Sequence, residues 1–515
     1  MDTDDPRAAA PGSGAATPPP LRVLADAAEL DADLVLAVAD RRCTLALGAG
    51  LRARLAGRRA ELLAALAAGG PVYGVSTGMG ALAGVPLDAA AQARHQDALV
   101  VGRAVGSAPW LTRPETRALL AVRLRTLLHP EAGASPALAD RLVALLAADV
   151  LPAVPARGTG VAGEIVPLAH AGAVVLGAGR VLAAGRPAPD GSTDGTADGA
   201  AALAAAGLGP AGFGPKEGVA FLEGVPAATA LALLRVREAR RLLAQVPVVL
   251  AVSAAVVGAS HDPVHPALAR ADAELGAVLA RLRALRPDGP VRGLQAPVSF
   301  RVTPAALVVA GRACSALEQA AQRALDGVTD SPALLDGAFV GTAGFAGTEL
   351  TAGLDALAAR LVHVADTGAA RLHRLLDARL TGLPAQLSPE PGVHAGLVAV
   401  HKRAVGTVHR LRRFATPSLL GPVETSLGQE DVQSFAFEAA ECVAEALTGL
   451  REVLAAELLA GHRARALAGG PPGLSGEALA ALAALDAVLP AGTADRPYGR
   501  DLDVLVALLR AGWAL

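Results

Sequence analysis

The strongest constraint on the fold of this chain is a repeated spacing. Segments rich in Ala, Leu and Arg carry apolar residues three and four positions apart at 51–68, 115–128, 137–149, 226–244, 266–285, 304–326, 351–378 and 434–467. This periodicity predicts helices, and the five segments between 226 and 467 predict a bundle of long ones. Such a scaffold builds its sites from side chains on facing helices. β-Branched alternating runs bounded by turn residues are scarce, so the strand–helix alternation of a parallel sheet is not visible. The expected class is mainly α. Aromatic residues make up 2% of the chain and hydrophobic residues 52%, so Ala, Leu and Val must fill the core, which favours closely packed helices. The pattern divides near residue 225, giving a tail at 1–20, an N-terminal region at 21–225 and a helical bundle with C-terminal helices at 226–515.

Charge and cysteine usage exclude several functions. The 46 basic and 48 acidic residues give a net charge of −2, so no basic surplus argues for nucleic acid or anionic lipid as a partner. Cys43, Cys314 and Cys442 are odd in number, far apart and without metal-ligand spacing, which argues against a disulfide framework or a zinc site. The first twenty residues carry acids where a signal peptide needs a basic start and lack an apolar run, so they read as a disordered tail. Uncharged stretches such as 246–260 fall short of the roughly 20 residues that a spanning helix needs, and a soluble cytoplasmic protein is expected. His261 and His265 stand four apart, but Pro263 between them and the lack of a helix-borne Glu argue against zinc. The Asp pattern at 190–199 lacks the closing Glu of a calcium loop and reads as plain loop. No metal site is expected.

Two glycine-rich segments invite a chemical reading. Tyr73 sits in PVYGVSTGMG (71–80), where a tyrosine approaches a ligand closely and exchanges protons if its pKa is lowered. A buried ring anchoring a turn explains the same residues equally well. In RGTGVAGEIVPLAH (157–170), Gly158, Gly160 and Gly163 have G-x-G-x-x-G spacing, which can open a helix whose amides bind an anion. A dinucleotide site needs a strand in front, and Pro152 and Pro155 interrupt that stretch. His170 reads as a hydrogen-bonded core histidine.

Taken together, YGVSTG with Tyr73, GTGVAGEIVPLAH, KEGVAFLEG (216–224), QAPVSFRVTP (295–304), TDSP (329–332) and GQEDVQS (428–434) form an ordered set. In order and spacing the set resembles the aromatic amino acid lyase family of histidine and phenylalanine ammonia-lyases and the related aminomutases. The likeness runs from about residue 21 to the C-terminus. It implies the ammonia-lyase fold with a central bundle of long antiparallel helices, and a homotetramer whose active sites are each shared among three chains. It also implies a methylidene-imidazolone ring (MIO), an electrophile made from an internal Ala-Ser-Gly whose serine supplies the methylidene carbon by dehydration.

This chain departs from that pattern at the ring. The Ala-Ser-Gly positions hold Val161, Ala162 and Gly163, and alanine has no hydroxyl to eliminate, so no MIO and no other cofactor is expected. A shifted ring from Gly158, Thr159 and Gly160 would lie three residues out of register. By resemblance, Arg103 stands where the family has histidine and Glu223 where it has asparagine. Val298 replaces a tyrosine and Val432 a histidine. Retained are Tyr73, the family's proposed base for β-proton removal; Arg301, which pairs with the substrate carboxylate; and Gln295, Phe345, Gln429 and Glu430. The candidate catalytic residues are therefore Tyr73, Glu223 and Glu430, and the candidate substrate-binding residues are Arg103, Gln295, Arg301, Phe345 and Gln429.

Three readings follow. In the first, an MIO-independent enzyme performs acid–base elimination, isomerisation or cyclisation on a small amino or carboxylic acid. Arg103 and Arg301 hold anionic groups by bidentate hydrogen bonds, and Glu223 and Glu430, if close, repel so that one stays protonated. The second is a catalytically silent ligand-binding or partner protein, for which Glu223 is only the salt-bridge partner of Arg103. The third is an ordinary aromatic amino acid ammonia-lyase, which Ala162 opposes.

Overall fold

The computed structural model describes residues 19–158, 162–183, 195–421, 423–468 and 473–514. All but two residues of the expected tail at 1–20, together with Thr159, Gly160, Val161 and residues 190–194 of the supposed loop, lie outside them.

Eight helices matter to the site and its support: α1 (Ala89–Val101), α2 (Arg113–Leu127), α3 (Ile165–Val175), α4 (Glu217–Leu222), α5 (Pro226–Val257), α6 (Val298–Asp326), α7 (Thr348–Leu375) and α8 (Ala436–Ala468). Sheet structure among the described residues is confined to three two-stranded pairs: Leu21–Leu24 parallel with Thr44–Leu47, Arg180–Leu182 antiparallel with Thr196–Asp198, and Ala333–Leu335 antiparallel with Ala338–Val340. The mainly α expectation stands, and each of the eight predicted segments contains a helix, the one expected over 266–285 beginning only at Ala273. The segment expected to end at 244 runs on to Val257 because the β-branched stretch 246–257 continues the apolar face, with Pro247 accommodated inside α5. Among the helices the sequence reading missed are α1, whose amphipathic pattern is weak, Ala32–Ala39, and the two 14-residue helices Val398–Leu411 and Tyr498–Ala511.

Local signals explain where these helices start and stop. Pro114 and the Thr112–Glu115 capping box open α2, with the Thr112 amide donating to Glu115 Oε2 at 2.8 Å. Pro226 opens α5, and Gly258 in the left-handed conformation closes it, its N–H bonding back to Ala254 and Ala255. Helices α5–α8 pack on one another, with α2 against α5. Their interface is largely Ala, Leu and Val, as the composition requires.

By length and composition α6 and the stretch 217–257 could each span a bilayer, contrary to the reading from uncharged runs. Both are bundle helices, and 78% of the most apolar window of 217–257 is buried inside the protein.

The bundle carries one polar knot. Arg371 on α7 donates from Nε and Nη2 to Glu457 on α8 at 2.7 and 2.8 Å, and both side chains are fully buried. Ser253 on α5 donates to Glu457, and Arg371 Nη1 donates to Thr303 on α6 at 2.6 Å. Every one of the four long helices thus contributes to a single satisfied network, the condition under which a buried ion pair is tolerated.

Candidate active site

The Tyr73 loop is fastened from behind. Gln96 on α1 donates to the Gly74 carbonyl at 3.0 Å and accepts from the Val219 amide of α4 at 3.1 Å. Gly74 has φ +69°, and a Cβ there would meet Val219 Cγ2 at 2.8 Å, so the loop presses against α4 at a position that only glycine fills. The Tyr73 hydroxyl accepts a hydrogen bond from the Gly80 amide at 2.7 Å, closing the loop on itself.

Glu223 lies just beyond the end of α4, three residues before α5 begins. Its main-chain carbonyl is held by the buried Arg123 guanidinium of α2, which also binds the Phe221 carbonyl at 3.2 Å. The residue is 5% exposed, and its carboxyl group makes no hydrogen bond or ion pair among the described residues. Burial first, then the charges of Asp330 and Glu430, push it up to about 8, against the opposing pull of Arg123 and Lys216. Lys216 is itself fully buried and paired with Asp330. At neutral pH Glu223 is therefore mostly a protonated acid.

Glu430 enters from the other side. Its Oε2 accepts from the Thr425 hydroxyl at 2.5 Å, and Gln433 braces Thr425 at 3.1 Å. Its Oε1 lies 3.8 Å from where a Gly80 Cβ would stand, so it faces the residue that holds the Tyr73 hydroxyl.

Tyr73, Ala162, Glu223, Phe345, Gln429 and Glu430 line one cavity of about 450 Å³. Gly163, at φ +70°, brings the 162–164 turn close enough that its missing Cβ would stand 3.7 Å from Glu223 Oε2. Arg103 lines an adjoining cavity of about 220 Å³ that shares Ile165 and Glu430 with the first. The Arg103–Glu223 salt bridge of the alternative reading is not formed: the guanidinium donates to the Leu99 carbonyl at 3.2 Å, and the two groups interact only at longer range.

Two features of the single chain bear on these candidates. Gln295 and Arg301 do not line the Tyr73 cavity; both are exposed near the start of α6, where Arg301 donates to Gln295 Oε1 at 2.8 Å. The tyrosine pKa is not lowered in this chain by itself. Burial raises it, and Glu223 and Glu430 add to the rise, outweighing the Gly80 amide and Arg103.

His170 meets its expectation, accepting from the Gly106 amide at 2.9 Å beside Trp110. Sequence reasoning missed Glu164, which is buried and accepts from the Ala227 and Ala228 amides at the start of α5. It ties the 162–164 turn to the bundle at a helix N-terminus, although burial outweighs the two amides and Arg123 and pushes its pKa up to about 8. The available signal was an acid directly ahead of the apolar run IVPLAH.

Comparison with known proteins decides the family: the model for aromatic amino acid lyases matches residues 30–487. The chain belongs to the aromatic amino acid lyase family. Among its lyase relatives, the histidine ammonia-lyase of Anaeromyxobacter sp. (strain K) is 30% identical over 95% of this chain and 99% of its own length. That of Bradyrhizobium diazoefficiens is 31% identical over 86% of each chain. Among solved structures, the tyrosine aminomutase of Streptomyces globisporus superposes with a TM-score of 0.87 at 25% identity, over 96% of this chain and 97% of its own. The ergothioneine-degrading ergothionase of Treponema denticola matches the lyase fold with a TM-score of 0.88 at 22% identity, over 96% of this chain and all of its own. The fold expected from the motifs is that of these lyases and aminomutases.

Proposed function

We propose that this lyase-family chain catalyses elimination, or a related isomerisation or cyclisation, of a small amino or carboxylic acid by acid–base chemistry without MIO. One observation carries the reading: Tyr73, Glu223 and Glu430 converge on a cavity walled by Ala162. The ring's methylidene carbon derives from a hydroxyl-bearing side chain, and the methyl of Ala162 does not fit that requirement.

In the step proposed, Tyr73 as phenolate takes the β-proton, the C–H electron pair becomes the double bond, and nitrogen leaves with the C–N pair as a neutral amine. Glu430 balances the cationic nitrogen beforehand, and protonated Glu223 donates a hydrogen bond where charge develops or supplies a proton to a poorer leaving group. Without an electrophile, the substrate needs a more acidic proton or a better leaving group than phenylalanine, since otherwise the barrier stays too high. A substrate cation beside Glu430 also offsets part of the field that raises the Tyr73 pKa.

The reading includes a cytoplasmic homotetramer divided near residue 225 within each chain. The exposed Arg301–Gln295 pair supports assembly, because it leaves the carboxylate-binding groups free to enter another chain's cavity. An intact-mass measurement tests the proposal: the full sequence mass is expected, and a deficit of two waters overturns it. The mass is to be paired with an assay of amino and carboxylic acids whose amines leave readily.

A catalytically silent binder is the second reading, favoured by a Tyr73 phenol held protonated in the isolated chain. It predicts ligand stabilisation without a product from any member of that panel.

A further inference from the structure

The cavity that Arg103 lines is an alcove of the Tyr73 cavity. Glu430 and Ile165 wall both, and Gly80, whose amide holds the Tyr73 hydroxyl at 2.7 Å, lines the Arg103 side. The Tyr73 oxygen therefore stands at the junction of the two. Arg103 follows the end of α1 and is half-buried. Its Nη1 donates to the Leu99 carbonyl, while Nε and Nη2 make no hydrogen bond or ion pair among the described residues and are not shut off from solvent. Burial lowers its pKa, against the opposing pull of Tyr73, Glu223 and Glu430. Among the described residues lining the two cavities, Arg103 is the only cation.

The charges select a ligand. Glu223 is mostly protonated at neutral pH, and in the acid–base reading Glu430 is taken up by the substrate's ammonium group. Arg103 is then a half-buried cation with an open edge. A neutral or aromatic substituent desolvates it further without compensation, whereas a carboxylate meets that edge with two parallel N–H bonds. The chemistry selects the same group. A proton on the carbon next to a carboxylate leaves more easily than a benzylic one, because its electron pair spreads onto oxygen, where a guanidinium stabilises it. Such a group makes good the electron sink that a reaction without MIO lacks.

We propose that the substrate is an amino acid with a second carboxylate on its β-carbon, seated on the Nε/Nη2 edge of Arg103 while the ammonium group lies beside Glu430. The inference rests on the acid–base reading and gives it a substrate class. Tyr73 as phenolate takes the proton from Cβ. The C–H pair spreads into the carboxylate held by Arg103 and returns as the Cα=Cβ double bond when the C–N bond breaks. Nitrogen leaves with the C–N pair as ammonia and then takes the proton from Tyr73, so the products are an unsaturated dicarboxylate and ammonium.

The test sets L-aspartate and 3-methyl-L-aspartate against the neutral analogues L-asparagine and 3-cyano-L-alanine, with the full-length protein. Ammonia release and Cβ–H exchange in deuterated water are read for each. The kcat/KM of a dicarboxylic member is expected to exceed that of asparagine at least about 100-fold. Arg103→Gln should erase this preference by weakening the dicarboxylic members alone, and Arg103→Lys should retain part of it. If Arg103→Gln does not fold, competition in the wild type serves instead, with succinate inhibiting at least about tenfold better than succinamate. Turnover confined to the neutral members, or a loss in Arg103→Gln that is equal for aspartate and asparagine, overturns the inference and leaves the acid–base reading in place. No product and no exchange from any of these amino acids overturns the inference, and the same silence from the wider panel of readily leaving amines overturns that reading as well.

Discussion

Two buried carboxylates in this molecule have opposite surroundings. Glu457, inside the bundle, receives both arms of Arg371 and the Ser253 hydroxyl, so its charge is compensated where it stands. Glu223, at the junction of α4 and α5, has its main-chain carbonyl gripped by Arg123 while its carboxyl group stays unpaired in a cavity with Tyr73 and Glu430. Burial alone does not separate a structural acid from a reactive one. A saturated acid is held in one geometry by its donors, whereas an unsatisfied acid in a cavity is free to meet a ligand.

Breaking the saturated site should produce the largest stability change. Arg371→Met leaves Glu457 as an uncompensated buried charge, and a loss of about 3–5 kcal/mol is expected by chemical denaturation. The double change Arg371→Met/Glu457→Leu should recover most of it, and failure to recover would show that the knot is net stabilising. At the other site, Tyr73→Phe should cut turnover at least about 100-fold while leaving Tm and assembly unchanged. Unaltered turnover would remove Tyr73 from the mechanism.

Glu223→Gln sharpens the contrast, because it should stabilise the protein. With a folded pKa near 8 against an unfolded value of 4.5, Glu223 folds as the acid and unfolds as the carboxylate. Stability is therefore lost as pH rises from 4.5 towards 8, by about 3 kcal/mol at pH 7. The variant should gain up to that amount at neutral pH and nothing below about pH 4.5. Pulse-free urea titrations at the two pH values measure the difference.

The smallest effect is a change of shape in a pH profile. If Glu223 acts protonated and Tyr73 ionised, kcat/KM rises up to about pH 8, levels off, and falls only above the raised tyrosine pKa. In Glu223→Gln the break near pH 8 should vanish, leaving a rate that climbs to the tyrosine pKa. A retained break would assign it to another group.

Much of this arrangement was legible in the chain. The three- and four-residue spacing located the long helices, and spaced motifs identified the family and brought Tyr73, Glu223, Phe345, Gln429 and Glu430 together before any coordinates. Arg301 and Gln295 were legible as motif residues but not as hydrogen-bonded neighbours at the exposed start of α6, because a motif records which residues recur and not what each one touches. The partners of Glu164 and Arg286 were not legible, for a different reason. Each acts by reaching main-chain groups far along or across the fold, at Ala227–Ala228 and Ala259, and such contacts leave no local pattern.

What the amino-acid sequence determined by itself is what short-range physics controls: helix periodicity, caps at Thr112 and Gly258, and the methyl group of Ala162 at a position where ring formation needs a hydroxyl. Only the tertiary structure decided the charge states. It set Glu223 without a partner and Glu457 with three donors, and it raised the Tyr73 pKa, whose direction the motif left open. A proton's free energy depends on desolvation and on charges brought near from distant parts of the chain, and neither exists until the helices have packed.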